Sequence, residues 1–370
     1  MDKEKVTKNL GIHSLFKSIS NSFISLFVPL IIYNQLGYKM AILYLIVFSL
    51  CAGLVPIIMQ KLIKKQPVTA ICVHIVVAIG AYLIIALSRI TVPVLLLVAM
   101  LTGIGDGLYY SSITAIISSN KSSKGFSSFK VWQYFGAFIM VLFNGYVLNL
   151  GASFSVLVTC GVSLLLYIIS IIPFFTVINH INLIGSENVQ FRTLVVKTHK
   201  HNLFTAFFGL EDMIMAHIVP LYLAISNLSV DKIAIIVAII NFSKMMITIV
   251  ANKLYKQKLS FLAIMIGSVL FGVSCLVMAI SGNKILLYIM SVLGGLVFPF
   301  FYIPTLNEFQ KDIEGAYAEG MIIREVSVHS LRPFILLPFI FITNLSWMVA
   351  LGIIVAVGLA FTGYRIFQNS

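Results

Sequence analysis

Twelve stretches of about 20 largely apolar residues divide this chain of 370 residues, and each can cross a lipid bilayer as a helix. A soluble fold lacks the interior to bury a chain that is 60% apolar and only 10% charged. The sequence therefore predicts an all-α integral membrane protein with twelve transmembrane helices, numbered here as spans 1 to 12. They are predicted at 11–34, 40–59, 68–88, 92–118, 128–149, 154–178, 202–226, 230–251, 259–280, 284–306, 316–343 and 346–365.

The lysine and arginine residues lie mainly in loops on one side of these spans. If the N-terminus is cytoplasmic, 17 of the 25 fall on the cytoplasmic side, and only Lys39, Arg89, Lys232 and Lys284 fall on the other. The positive-inside rule then predicts a multi-pass protein of the cell membrane with both termini in the cytoplasm. This placement explains the formal charge of +13, and because the basic residues are scattered, no nucleic-acid partner is expected.

The two groups of six spans repeat at a shift of about 191–192 residues. The matched pairs are Val-Pro-Leu at 28–30 and 219–221, the basic stretches 61–64 and 253–256, and Gly103 with Gly295. The repeat predicts an N-terminal six-helix bundle at 1–178, a cytoplasmic central loop at 179–201 and a C-terminal six-helix bundle at 202–370. Six-span halves in parallel repeat are typical of transporters.

The loop between spans 2 and 3 carries a basic motif. Its functional positions are Gln60, Lys61, Lys64 and Lys65, and the basic residues recur in the second half as Lys253 and Lys256. With the two six-span halves, this loop resembles the major facilitator superfamily, whose corresponding pattern is G-x-x-x-D-R-x-G-R-R, and the resemblance covers nearly the whole chain. The basic positions are kept, whereas the glycines are missing and Gln60 replaces the acid.

That resemblance implies two pseudo-symmetric bundles around a central cavity, with spans 3, 6, 9 and 12 on the outside, and transport of a solute by alternating access. Span 5 keeps Gly136 and Gly145, the end glycines of a motif found in proton-driven exporters of the family, but lacks the motif's Gly-Pro. The direction of transport therefore stays open at this point.

Eight formally charged side chains lie well inside the predicted spans, away from their ends, where each needs a partner or a function to justify its cost in hydrocarbon. They are the acids Asp106, Glu211, Asp212 and Glu325 and the bases Lys17, Lys244, Arg324 and Arg332. Spans 3, 6, 9 and 12 contain none of them, in agreement with the helix arrangement that the resemblance implies.

Polar residues on the other spans share helix faces. In span 1, Lys17, Asn21 and Ser25 follow one another at intervals of four residues and form one stripe. The remaining candidates for a substrate cavity are Tyr109, Tyr110, Trp132, Gln133, Asn144, Asn241, Lys244, Arg324 and Arg332. Two interpretations remain open: the charges form buried pairs that lock or gate the helices, or the bases hold a polar or anionic substrate.

Glu211 and Asp212 are adjacent carboxylates within span 7. Burial and mutual repulsion favour the protonated form of one of them, as a proton carrier requires, whereas a nearby base opposes it. The candidates for proton or ion coupling are Asp106, Glu211, Asp212, Glu325, His217 and His329. His74 on span 3 is expected to be structural.

The sequence contains no phosphate-binding loop, so the energy for transport has to come from an ion gradient or from the solute itself. We expect a monomeric, proton-coupled exporter of a small, amphiphilic solute in the lipid bilayer. Proton-coupled uptake and flipping of a lipid-linked substrate are the alternatives. A subunit of a larger complex or an intramembrane enzyme is less favoured, because no catalytic motif occurs, and neither a cofactor nor a metal is expected.

Overall fold

A computed structural model of the chain confirms the all-α architecture of twelve transmembrane segments. It describes residues 3–119, 123–150, 155–176, 191–254, 257–342, 344 and 346–368. Eleven of the described segments are long and apolar enough to span a membrane. The twelfth, span 11, is divided into shorter pieces and carries four of the polar residues of the site.

The first half contains spans 1 to 6 at close to their predicted positions. They are Lys3–Ser22 continued by Phe23–Phe27 and Val28–Leu36, then Tyr38–Ile58, Pro67–Leu87, Val92–Ser119, Ser123–Asn149 and Ser155–Phe175. A short helix, Gln60–Lys65, contains the basic loop motif.

The second half follows the same plan. Spans 7 to 10 are His199–Met213 with Ile214–Ile218 and Val219–Ile225, then Val230–Leu254, Gln257–Ile280, and Lys284–Leu296 with Phe298–Asp312. Spans 11 and 12 are Tyr317–Ser330 with Arg332–Leu336 and Leu337–Ile340, then Ser346–Phe367. Pro333 and Pro338 interrupt span 11 because proline has no N–H to donate within a helix. A further helix, Phe191–Lys197, lies within the predicted central loop.

The internal repeat is also visible in the backbone. Spans 1 and 7 each contain one π-helical turn, Phe23–Phe27 and Ile214–Ile218, placed directly before the repeated Val-Pro-Leu. In span 4, a Cβ on Gly103 would collide with the backbone oxygen of Phe48, and at the repeat position a Cβ on Gly295 would collide with Ile240. The repeated glycines therefore let span 4 approach span 2, and span 10 approach span 8, at matching places.

Span 11 also packs against span 4, but the most extensive contacts between the halves pair span 2 with span 11 and span 5 with span 8. These pairs exchange under a shift of six spans, as pseudo-symmetry requires. Spans 2 and 11 are joined near both ends, by Tyr38 Oη donating to the carbonyl oxygen of Ile342 at 3.2 Å and by an ion pair between Lys64 and Glu319. Spans 5 and 8 approach closely where Gly145 faces Ala234.

Candidate functional site

A cavity of about 290 Å³ lies between the two halves. Every described residue that lines it belongs to spans 1, 2, 4, 5, 7, 8, 10 or 11, and none belongs to spans 3, 6, 9 or 12. The inner and outer positions of the spans therefore agree with those that the family resemblance implies.

Most of the predicted site residues line this cavity. They are Asn21, Ser25, Asp106, Tyr110, Asp212, His217, Gln133, Asn241, Lys244, Arg324, Glu325, His329 and Arg332. Five candidates lie outside the lining: Lys17, Tyr109, Trp132, Asn144 and Glu211. Trp132 packs against Gly11 on span 1, and Asn144 is fully buried. Helical spacing shows which residues share a face of a span, but it does not show which face points to the cavity.

Lys17 forms an ion pair with Asp106 in the N-terminal half. Its Nζ lies 3.4 Å from Oδ1 of Asp106 and 3.3 Å from the hydroxyl of Tyr110. The same Nζ lies 4.2 Å and 4.4 Å from the ring centroids of Tyr109 and Tyr110. Lys17 is fully buried, so these rings and Asp106 take the place of water around its charge.

A chain of four polar side chains joins spans 7 and 11 on the other side of the cavity. Arg332 donates through Nη2 to Oδ2 of Asp212 at 3.1 Å and through Nε to the carbonyl oxygen of Gly209 at 2.9 Å. Its Nη1 lies 3.4 Å from Nδ1 of His329, whose Nε2 is 3.3 Å from Oε1 of Glu325. A proton that enters at Glu325 or His329 thus changes the charge next to the Asp212–Arg332 pair.

Glu211, the neighbour of Asp212, has a different environment. Its side chain is fully buried, and neither carboxylate oxygen has a described hydrogen-bond partner. An unpartnered ionised carboxylate is costly in a low-dielectric interior. The predicted difference between the two adjacent acids is therefore structural in origin: Asp212 faces the cavity and Arg332, whereas Glu211 faces the packed interior.

Lys130 lines the cavity, although its place near the predicted start of span 5 groups it with the cytoplasmic basic residues. It lies in span 5, which begins at Ser123 rather than at 128, and it lines the cavity beside Gln133. Its Nζ lies 5.0 Å from the ring centroid of Tyr302. The spacing of three residues between Lys130 and Gln133 places both on one helix face, and this signal could have identified it.

A second group of buried polar residues lies behind Lys17. His13 is buried and its Nδ1 lies 2.8 Å from the carbonyl oxygen of Ser170. The rings of His13 and His74 lie 5.7 Å and 4.9 Å from that of Tyr109. The expectation that His74 is a packing residue fits this position, which is outside the cavity lining.

Hydrogen bonds join the halves on both sides of the cavity. Nδ1 of His217 in span 7 lies 2.9 Å from the carbonyl oxygen of Ser25 in span 1. At the opposite end, Nε2 of Gln310 in span 10 donates to Oγ of Ser118 in span 4 at 3.4 Å. The two halves are therefore in contact on both sides of the cavity.

The basic loop motif lies at the end where Ser118 meets Gln310. Lys64 is 2.5 Å from a carboxylate oxygen of Glu319, which is buried at the start of span 11. Gln60, Lys61 and Lys65 belong to the same short helix and make no described ion pair. The side chains of Lys253 and Lys256 lie outside the described part of the chain. Among the described residues, no group of three His, Cys, Asp or Glu could hold a metal ion.

Residues 10–322 match the family model of the Major Facilitator Superfamily, and the comparison with curated proteins gives no significant match. Three solved structures have a similar fold over almost all of both chains. One is a bacterial homologue of the human drug peptide transporters PepT1 and PepT2, with 10% identity, coverage of 100% of this chain and 98% of that chain, and a TM-score of 0.72. Another is a bacterial homologue of the iron transporter ferroportin in an outward-facing state, with 13% identity, coverage of 99% and 100%, and a TM-score of 0.74. The third is the human organic anion transporter MFSD10, with 11% identity, coverage of 98% and 100%, and a TM-score of 0.69. At these identities the likeness shows the fold alone.

Proposed function

Since the chain belongs to the major facilitator superfamily, we propose that it couples the movement of protons to the export of a small, partly apolar solute by alternating access. The solute binds in the cavity between the halves, and the protein works as a monomer in the cell membrane with both termini in the cytoplasm. The fold alone does not fix the substrate, because the similar structures include proteins named for peptides, iron and organic anions.

The polar chain Glu325–His329–Arg332–Asp212 is the observation that carries the proposal of proton coupling. Glu325 and His329 are titratable, buried and directly joined, and both line the cavity. A proton on His329 repels Arg332 and so weakens the Asp212–Arg332 pair between spans 7 and 11. Protonation thereby becomes linked to the packing of the helices that border the cavity, which is what a coupling site must achieve.

The direction of transport is proposed from span 5. Gly136 and Gly145 are the glycines that this span shares with proton-driven exporters of the resembled family. A Cβ at Gly136 would collide with the backbone oxygen of Leu15 in span 1, and a Cβ at Gly145 would collide with Ala234 in span 8. Both glycines therefore support close packing of span 5 against its neighbours.

Reconstitution into proteoliposomes tests the proposal. A solute identified by thermal stabilisation of the purified protein is followed in two assays: counterflow, which needs only a carrier, and accumulation driven by an imposed pH gradient. We expect Glu325→Gln to keep counterflow and to lose gradient-driven accumulation. Glu308→Gln, outside the cavity and paired with Lys311, is the matched control.

The outcomes separate the parts of the proposal. Proton coupling is excluded if accumulation does not depend on the pH gradient. It is also excluded if accumulation is unchanged in each of the variants Asp106→Asn, Glu211→Gln and Glu325→Gln. Accumulation with the proton gradient rather than against it indicates uptake instead of export. Absence of counterflow for every stabilising solute contradicts transport itself.

A further inference from the structure

We infer that the solute is an organic anion with a flat apolar part, held by Lys130, Lys244 and Arg324 around the rings of Phe298 and Tyr302. This inference rests on the proposed function, because it takes the central cavity as the solute site. It names the chemical class that the cavity recognises.

The three cations gather around one pair of rings in span 10. The rings of Phe298 and Tyr302 are stacked with centroids 5.6 Å apart. The Nζ of Lys244 lies 4.6 Å from the Phe298 centroid, and Cζ of Arg324 lies 5.2 Å from the Tyr302 centroid. The Nζ of Lys130 lies 5.8 Å and 5.0 Å from the two centroids. All three residues line the cavity.

None of these three cations forms an ion pair with a described carboxylate, although acids are present in the cavity. Each acid of the lining already has another partner: Asp106 has Lys17, Asp212 has Arg332, and Glu325 has His329. Glu211 is fully buried and does not line the cavity. Among the described residues that line the cavity, four lysine and arginine side chains therefore stand against three carboxylates.

Positive charges that share one ring repel each other, and the repulsion is strong where water is scarce. Lys130 and Arg324 both face Tyr302. Contact with a ring offsets part of the cost of burying a cation, but an aromatic face carries no net charge and leaves the repulsion in place. An anion between the three cations removes the repulsion and completes their hydrogen bonding.

The cations also come from both halves of the protein. Lys130 belongs to span 5, whereas Lys244 and Arg324 belong to spans 8 and 11. An anion held by all three joins the halves directly, so that its binding favours the occluded state. The apolar part of the solute has a matching surface, because Phe208 and Tyr134 pack against Phe298 with centroids 4.7 Å and 6.0 Å apart.

Matched aromatic probes test the charge preference. Benzoate, 2-naphthoate and 4-biphenylcarboxylate are compared with their neutral amides and with the corresponding arylmethylammonium ions, by thermal stabilisation and by calorimetric Kd. At least one carboxylate should bind, and should bind more tightly than its amide and its ammonium analogue. Lys130→Gln, Lys244→Gln and Arg324→Gln should each weaken binding of that carboxylate about tenfold, as the loss of one charge-assisted hydrogen bond predicts.

The control is Lys232→Gln, which removes the same charge from an exposed position of the same helix as Lys244 and should leave the Kd unchanged. Melting temperatures without ligand establish that each variant is folded. The inference is overturned if no carboxylate binds, if an amide or ammonium probe binds equally well, or if the three variants keep the wild-type Kd. Counterflow of a neutral or cationic solute would overturn it while leaving the transporter proposal intact. An anion that binds without counterflow would instead contradict the transporter proposal.

Discussion

Nδ1 of His217 lies 2.9 Å from the backbone carbonyl oxygen of Ser25, and these two residues are 192 positions apart, so His217 directly follows the repeat counterpart of Ser25 in span 7. The contact between Gln310 and Ser118 also joins residues 192 positions apart. Both contacts therefore lie close to the axis that relates the two halves, one on each side of the cavity. A rocking motion about the cavity has to break one contact and can keep the other.

A cross-link at one of these contacts should stop transport. With the four native cysteines replaced, Ser118→Cys and Gln310→Cys are joined by a short bifunctional thiol reagent, and counterflow is measured in proteoliposomes. We expect loss of counterflow in proportion to the cross-linked fraction, because that end of the cavity can no longer open. The monofunctional form of the reagent is the control. Undiminished counterflow after complete cross-linking would show that opening at this end is not required.

Breaking the Lys64–Glu319 ion pair should expose the same end of the cavity. Ser118 is buried, so a cysteine at this position reports opening through its rate of alkylation by N-ethylmaleimide. We expect Glu319→Gln and Lys64→Gln to raise that rate several-fold, because the pair holds spans 2 and 11 together there. Lys61→Gln, from the same short helix but without a described ion pair, should have no effect. Equal rates in all the variants would assign the ion pair no role in closure.

The Lys17–Asp106 pair should show strong coupling in a double-mutant cycle. Asp106→Asn leaves the fully buried Lys17 without a counter-charge, and we expect a loss of roughly 1–3 kcal/mol in stability, below the 3–5 typical of fully buried pairs because Asp106 is partly exposed. Lys17→Met combined with Asp106→Asn should be more stable than Asp106→Asn alone. The apparent melting temperature in detergent measures both effects, and additive losses would contradict a direct interaction.

The repeated glycines should differ in their tolerance of alanine. In span 4, a Cβ at Gly103 meets the backbone oxygen of Phe48, whereas in span 10 a Cβ at Gly295 meets the side chain of Ile240. A side chain can adopt another rotamer, but a backbone oxygen moves only with its helix. Gly103→Ala should therefore cost about 1–3 kcal/mol as overpacking, and Gly295→Ala should cost less. Gly80→Ala, which meets nothing within 4 Å, is the control. Equal melting temperatures for the first two variants would refute this explanation.

Several features of the fold and the site could be predicted from residue patterns. The stripe of Asn21 and Ser25 in span 1 faces the cavity, as its spacing of four residues indicates. The same reasoning also selected Trp132 and Asn144, which lie outside the lining. Periodicity relates residues within one helix, but the rotation of that helix about its own axis depends on its neighbours. Lys130 was counted with the cytoplasmic basic residues because it lies only two residues inside the predicted start of span 5, whereas the helix begins at Ser123.

The sequence by itself determined that this chain spans the membrane twelve times, because only long apolar helices can cross the hydrocarbon core in a chain of this kind. It also determined the two repeated halves, because matching residues recur at one shift along the chain. The resemblance to the family implied which spans surround the cavity, and the charges within the spans agreed with it. Only the tertiary structure decided which charges pair. Lys17 pairs with Asp106, 89 residues away in the sequence, and Arg332 pairs with Asp212, 120 residues away. No local sequence rule relates positions so far apart. In the part of the chain that the structure describes, the same packing left Lys130, Lys244 and Arg324 without an ion pair to a carboxylate, and it placed His217 against Ser25 between the halves.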